Sequence, residues 1–355
     1  VIGRYLWPSA EQKLLLRAAL AEDGAALTAI AAWHARVDLG GTIDSGSFRL
    51  FPMAHANLEK LGCTHPAMAM LGGVRRRAWV EAQLRDRFAI EVIRELAARD
   101  IPTMVTKGLA LAHSLYPDSA LRPMSDIDLI VPPARAQGAI SALVQLGFEL
   151  LNGHDGGRVT GHAVHLLRNG NEQVDLHVSP MAETAPAPAR RWAWAGAVPL
   201  EIGGVAALRP GDSDLLLQVI VHGLRINPVP PLRWITDAAM IMRHGGPLDW
   251  DRIVDSAAKL TMSVRLKRAL EFLGSDMDLP VPAGPLERLR GVRPKFYERL
   301  ENAAISTAEG QARAVRWRWR AAIAGRLLST GQIRHLRKLV TGFVRRRLPF
   351  GGQHP

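Results

Sequence analysis

The sequence predicts an α+β fold in which a short mixed sheet with flanking helices is preceded and followed by helical regions. Three observations predict it. Ser125-Asp126-Ile127-Asp128 runs into the apolar residues Leu129 to Val131, a stretch of strand length. Two alternating segments, Ala163 to Leu167 and Gln173 to Val178, are joined through Asn169-Gly170, a strong short-range hairpin signal. Long stretches with apolar residues at helical spacing lie on either side. With 48% hydrophobic and 22% charged residues, the 355-residue chain holds enough apolar material for two or three packed units and is too apolar for disorder.

In chain order, Ser9 to Leu20 and Ala25 to Val37 read as helices, the first behind a Pro8-Ser9 start signal. Gly40 to Ser47 reads as a loop, and Phe51 to Leu61 and Pro66 to Gly72 as short helices. A long amphipathic helix follows from about Arg75 to Ala98. Its charges (Arg75, Arg76, Glu81, Arg85, Arg87, Glu91, Arg94, Glu95) alternate in sign, which predicts a solvated face. Pro102 to Thr106 is a short strand that Lys107-Gly108 turns into a helix over Leu109 to Leu115. Beyond the Asp-x-Asp strand, Ala134 to Leu146 is a helix closed by Gly147, and Phe148 to Leu151 the next strand. His154 to Gly161 reads as a glycine-rich loop, and Pro186 to Trp194 as a loop-rich insertion. Asp214 to Leu224 and Leu232 to Met242 are helical, with Gln218 and His222 on one and Arg233 and Asp237 on the other at i,i+4 spacing. The expected organisation is a helical region over 1–98, a core over 99–210, a helical domain over 211–310 and a basic tail over 311–355.

The chemistry converges on the strand at Asp126. Side chains alternate along a strand, so Asp126 and Asp128 share one face while Ile127 and Leu129 enter a core. Paired carboxylates repel unless a cation or shared proton lies between them, so a divalent metal is the natural third party, Mg²⁺ first and Mn²⁺ as its substitute. On that ground, loss of either carboxylate is expected to leave stability unchanged or higher. Asp175, in the strand Val174 to His177, supplies a third carboxylate, and His177 shares its face as a group that orients a carboxylate or phosphate. His162, His165 and His177 lack both a cysteine partner and a His-x-x-x-His helix, so zinc is not the favoured ion. A strand, a glycine turn and a helix N-terminus at Lys107-Gly108 together make an anion site suited to a triphosphate.

The pattern Lys107-Gly108, Leu115-Tyr116, Arg122, Asp126-Ile127-Asp128-Leu129, Gly147-Phe148 and Val174-Asp175-Leu176-His177 resembles the nucleotidyltransferase-like proteins of the DNA polymerase beta superfamily, in their small and little-characterised bacterial branch. Many members of the superfamily carry Gly-Ser where this chain has Lys-Gly. Later terms, His222-Gly223, Arg233-Trp234, Asp237 and Leu248-Asp249-Trp250, are similar to the helical half of that family, and the resemblance spans about residues 50 to 280. It implies a polymerase-beta-like core and transfer of a nucleoside monophosphate from an NTP to an acceptor, a small molecule or peptide, with release of pyrophosphate. It further implies Asp126, Asp128 and Asp175 as metal ligands. Gly108 would let backbone approach the phosphates, Lys107, Arg122 and Ser125 would hold the triphosphate, and His177, His222 and Arg233 would complete the nucleotide site. Two rival readings keep the fold: transfer of another group such as a sugar, or nucleotide or nucleic-acid binding without catalysis. Retention of all three aspartates speaks against the second.

Charge is unevenly distributed. Of a net +12, residues Gln311 to Pro355 contribute 11 Lys and Arg and no acid, which leaves the rest of the chain almost balanced. Arg316, Arg318 and Arg320 alternate with Trp317 and Trp319 in this tail. It suits packing of a Trp face on the body first, and next a polyanion or an acidic membrane surface. One cysteine, Cys63, excludes an internal disulfide and a cysteine-based zinc cluster, and fits a reducing compartment, with the cytoplasm expected. No apolar run reaches the roughly 18 residues of a membrane span, and no secretory leader is read at Val1.

Overall fold

A computed structural model describes residues 7–38, 40–151, 163–181, 186–224 and 232–305, and beyond these residues 317, 320, 321, 323–325 and 328. The expected loop at 154–161, His162 and most of the basic tail lie outside the described residues. Helices α1 (Ala10–Leu20), α2 (Gly24–His34), α3 (Ser45–Phe48) and α4 (Phe51–Lys60) open the chain. Ser9 starts α1 with a capping box, its hydroxyl accepting from the Gln12 amide while the Gln12 side chain accepts from the Ser9 amide. Where a loop was expected to run through Ser47, Asp44 caps the single turn of α3.

The two helices expected on either side of Gly72-Gly73 are one, α5 (Ala67–Ala98), 32 residues long. Gly72 is a packing position: a Cβ there would lie 2.8 Å from the His55 ring, so glycine lets α4 and α5 approach closely. The solvated-face expectation for α5 also needs correction at one residue. Ala78, Ala82, Arg85, Ala89, Val92 and Leu96 form its buried stripe, and Arg85 is only 5% exposed.

The sheet begins with β1 (Met104–Thr106), which runs directly into α6 (Lys107–Ser114). After β2 (Asp126–Ile130) come α7 (Ala136–Gln145), β3 (Glu149–Leu150), β4 (Ala163–Arg168) and β5 (Glu172–His177). Asn169 and Gly170, both at positive φ, are the first two residues of the three-residue β4–β5 turn, one longer than the two-residue loop this pair favours. The expected insertion is instead α8 (Pro186–Ala195), and an unforeseen hairpin follows, β6 (Ala197–Ile202) and β7 (Val205–Pro210). Its two-residue turn, Gly203-Gly204, has both φ values positive and is a readable hairpin signal in retrospect. The seven strands form one mixed sheet in the order β3-β4-β5-β2-β1-β7-β6.

One sheet face packs Val105, Ile127 and Leu129 against Phe88, Val92 and Leu96 of α5 and Ala139 and Leu143 of α7. On the other, Met104 and Ile130 meet Ala193 of α8, and this face carries Asp126 and Asp128.

Helices α9 (Asp212–Gly223), α10 (Arg233–His244), α11 (Trp250–Lys259), α12 (Ser263–Ser275), α13 (Ala283–Gly291) and α14 (Phe296–Ile305) complete the described chain apart from the tail fragments. Leucines of α1, Trp33 of α2 and Phe51 of α4 share one core with α9, α10 and α12. The motif pairs His222-Gly223 and Arg233-Trp234 meet there, since a Cβ on Gly223 would lie 2.2 Å from the Trp234 ring. In the tail, Trp317 is 68% exposed, so its side chain does not make the expected packing on the body. Trp319 lies outside the described residues. No described helix is long and apolar enough to cross a membrane.

Candidate active site

Three neighbouring strands position the site. Parallel pairing of β2 with β5 sets Asp128 beside Asp175 and Ile130 beside His177, while antiparallel pairing with β1 sets Thr106 on the other side of Asp128. One ligand atom each of Asp128, Asp175 and His177 lies within 4.8 Å of the others, and all three residues are buried. His177 Nε2 lies 2.8 Å from Asp128 Oδ1, and the Lys107 ammonium donates to the same oxygen. Asp175 Oδ1 contacts His165 Nδ1 at 2.6 Å and accepts from Gln173 Nε2 at 3.1 Å. Asp126 sits at the more open end of β2 and outside that compact group.

Electrostatics separate the two carboxylates of the Asp-x-Asp pair. Burial, together with the charges of Asp128 and Asp175, pushes the Asp126 carboxyl up, against Lys107 and Arg233. Burial acts the same way on Asp128, but the Lys107 ammonium and the His177 contact outweigh it and hold Asp128 well below the usual carboxylate range. Burial and the Lys107 charge push His177 down. Thus Asp128 already has a cation, Lys107, as its partner, whereas Asp126 carries the unrelieved repulsion.

Lys107 has a φ of 48°, a left-handed conformation that costs a side-chain-bearing residue about 1–3 kcal/mol. Glycine would adopt it freely. The reversal takes the chain from β1 into α6 without a loop and brings the ammonium to Asp128. Thr106, the N-cap, makes no side-chain cap because its hydroxyl donates to Gln218 Oε1 at 2.6 Å.

Other expected site residues lie elsewhere or have other partners. Arg122, expected on the triphosphate, is buried and makes a two-pronged ion pair with Asp237, Nε to Oδ1 and Nη2 to Oδ2, each 2.7 Å. Tyr116 donates to Asp237 Oδ1 at 2.8 Å, so three terms of the motif form one network between the α6–β2 connection and α10. Gly108 is buried beneath Arg122 and Met124. A Cβ there would lie 2.5 Å from Arg122 Nη1 and 2.7 Å from Met124 Sδ, so the close approach that glycine allows is to these side chains. Gly108→Ala is therefore expected to cost about 1–3 kcal/mol through displacement of Arg122, read as a lowered melting temperature. Ser125 is exposed, with its hydroxyl 3.4 Å from Asp126 Oδ1. Arg233 donates to the Pro123 carbonyl at 2.7 Å; burial and the nearby Arg122 lower its pKa to about 10. His222 is exposed in the last turn of α9.

Two participants escaped the sequence reading. Gln173 has no pattern to mark it. Arg85 had one: it occupies an apolar-stripe position of α5, and its Nη1 donates to the Met124 carbonyl at 2.9 Å.

Residues 47–275, well over half of the chain, match a family described as uncharacterised nucleotidyltransferases. This chain belongs to that family. The nucleotidyltransferase is also similar to a solution structure of the antibiotic-resistance factor ANT(2'')-Ia, at 14% identity and a TM-score of 0.34, over 59% of this chain and 91% of that one. A crystal structure of ANT(2")-Ia with adenylyl-2"-tobramycin gives 15% identity and 0.33 over 44% and 87% of the two chains. An antigenic nucleotidyltransferase-like protein from Paracoccidioides brasiliensis gives 16% and 0.35 over 58% and 96%. No curated protein matches the sequence. As a nucleotidyltransferase the protein is an enzyme, and its buried carboxylates with one imidazole form a donor set that fits a hard divalent cation.

Proposed function

We propose that the protein transfers a nucleoside monophosphate from an NTP to a hydroxyl or phosphate oxygen of an acceptor, a small molecule or peptide, and releases pyrophosphate. The observation that carries this reading is the in-register pairing of β2 with β5, which sets Asp175 beside Asp128 on the face shared with Asp126. Asp126, Asp128 and Asp175 would hold Mg²⁺ or Mn²⁺, with His177 in contact with Asp128. A bound divalent cation supplies neutralisation of phosphate charge and polarisation at the α-phosphorus. Lys107 contributes a positive charge at the phosphates, beside the N–H groups of the first turn of α6. Arg233 balances charge near Asp126. The acceptor oxygen forms a bond to the α-phosphorus, the bond from that phosphorus to the β-phosphate oxygen breaks, and the acceptor proton passes to Asp175, whose contact with His165 steadies it. The single cysteine supports a reducing, cytoplasmic setting.

The test is pyrophosphate release with each NTP and Mg²⁺ in the presence of candidate acceptors, with mass spectrometry of the acceptor. Acceptor masses raised by one nucleotide residue are expected; transfer of a sugar or of phosphate alone would overturn the reading. Lys107→Ala is expected to raise KM for the NTP more than it lowers kcat, because a point charge on the phosphates serves ground and transition states alike. An unchanged KM with a collapsed kcat would move Lys107 to the leaving pyrophosphate.

A further inference from the structure

Beside the carboxylate site lies a groove of about 780 Å³, bounded by the end of α3, one face of α5, the Pro123–Ser125 segment and the β4–β5 turn. It reaches Ser125, one residue from Asp126, yet neither Asp126 nor Asp128 lines it. Its lining carries four arginines against three glutamates. Glu81 is paired with Arg77 at 2.7 Å, and Glu91 and Glu172 are both taken by Arg168 at 2.6 Å. Arg49, Arg85 and Arg87 line the groove outside any ion pair among the described residues, with Asp86, Glu81 and Asp126 acting on Arg85 and Glu91 on Arg87 at longer range. Arg85 is the telling one. It is more than nine-tenths buried, and its Nε and Nη2 have no hydrogen-bond partner among the described residues. An arginine stays charged when buried, and an oxyanion entering the groove would meet these donors once the side chain turned toward it. Phe48 and Leu84, 41% and 59% exposed, add apolar surface to the same groove.

We propose that this groove binds the acceptor, and that Arg85, flanked by Arg49 and Arg87, receives an oxyanion of that acceptor, a phosphate or a carboxylate. The inference rests on the transferase reading above and extends it: the acceptor is an anionic molecule with an apolar part, held so that its reacting oxygen points toward Asp126. The nucleotide is a poorer occupant, because its phosphates must meet Asp126 and Asp128, which do not line the groove.

The test titrates the full chain with inorganic phosphate and, separately, acetate at ionic strength fixed with NaCl, following thermal unfolding and calorimetric binding. It is run with EDTA and again with Mg²⁺ and saturating nonhydrolysable ATP analogue. Saturable stabilisation by at least one anion is expected under both conditions. Arg85→Gln is expected to weaken it about tenfold or more, the equivalent of one charge-assisted hydrogen bond. Arg85→Lys, which keeps the charge, should retain part of the binding, and the double variant Arg49→Ala/Arg87→Ala, at less buried positions, should weaken it severalfold without loss of fold. Absence of saturable anion binding by the wild type overturns the proposal, as do equal affinities across these variants. Competition between anion and analogue also overturns it, by assigning the groove to the triphosphate. Failure of the transferase reading is seen separately, as analogue binding that Asp128→Asn leaves intact.

Discussion

On the proposed reading, Asp128→Asn is expected to lower nucleotidyl transfer by about 10³-fold or more, since it would weaken both metal binding and the electrostatic stabilisation of the transferring phosphoryl group. It should also lower stability in metal-free buffer. Asp128 accepts from the Lys107 ammonium and contacts His177, and loss of one member of a buried charge pair costs about 3–5 kcal/mol because the other stays behind unpaired. Asp126→Asn behaves differently on the same axis. Its ionised form is disfavoured by burial and by Asp128 and Asp175, so the variant should lose transfer yet melt at the same temperature or higher. Relief of repulsion, expected from the Asp-x-Asp spacing for both residues, is thus still expected for Asp126, and the opposite for Asp128. Calorimetry of the two variants beside an activity assay reads this split. Equal stabilities, or Asp128→Asn retaining near wild-type turnover at saturating Mg²⁺, would show that Asp128 does not play the central part assigned to it.

Asp237→Ala is the second large effect, and it falls on stability. The substitution leaves the Arg122 guanidinium buried with neither of its two carboxylate contacts and takes the acceptor from Tyr116. A loss of about 3–5 kcal/mol is expected, which for a chain of this size lowers the melting temperature by roughly 4–7 °C. Arg122→Met combined with Asp237→Leu should recover much of it, because a buried ion pair replaced by apolar side chains of similar volume is often neutral. If Asp237→Ala melted like the wild type, the Arg122 pair would be a surface-like contact and Arg122 would again be open to a phosphate role. Transfer activity measured well below the melting temperature separates the two: a docking residue leaves KM for the NTP nearly unchanged, whereas a phosphate ligand raises it.

What the sequence determined by itself is what local geometry encodes. Strand alternation put Asp126 and Asp128 on one face, the Asn169-Gly170 pair set a hairpin, and Ser9 with Gln12 started a helix, each within a few residues along the chain. Asp175 was legible as a strand carboxylate and as a motif term. Its place beside Asp128, 47 positions away, was decided by the register of β2 on β5. Tertiary structure alone gave Arg122 to Asp237, gave Gly108 to Arg122 and Met124, ran α5 through Gly72-Gly73, and turned Arg85 toward the groove instead of solvent. The physical reason is common to all four. A residue's type and period say which face it occupies, but its partner is set by which distant element packs on that face. Buried charges find partners across the fold because the desolvation that burial imposes must be met by some group, near or far in sequence.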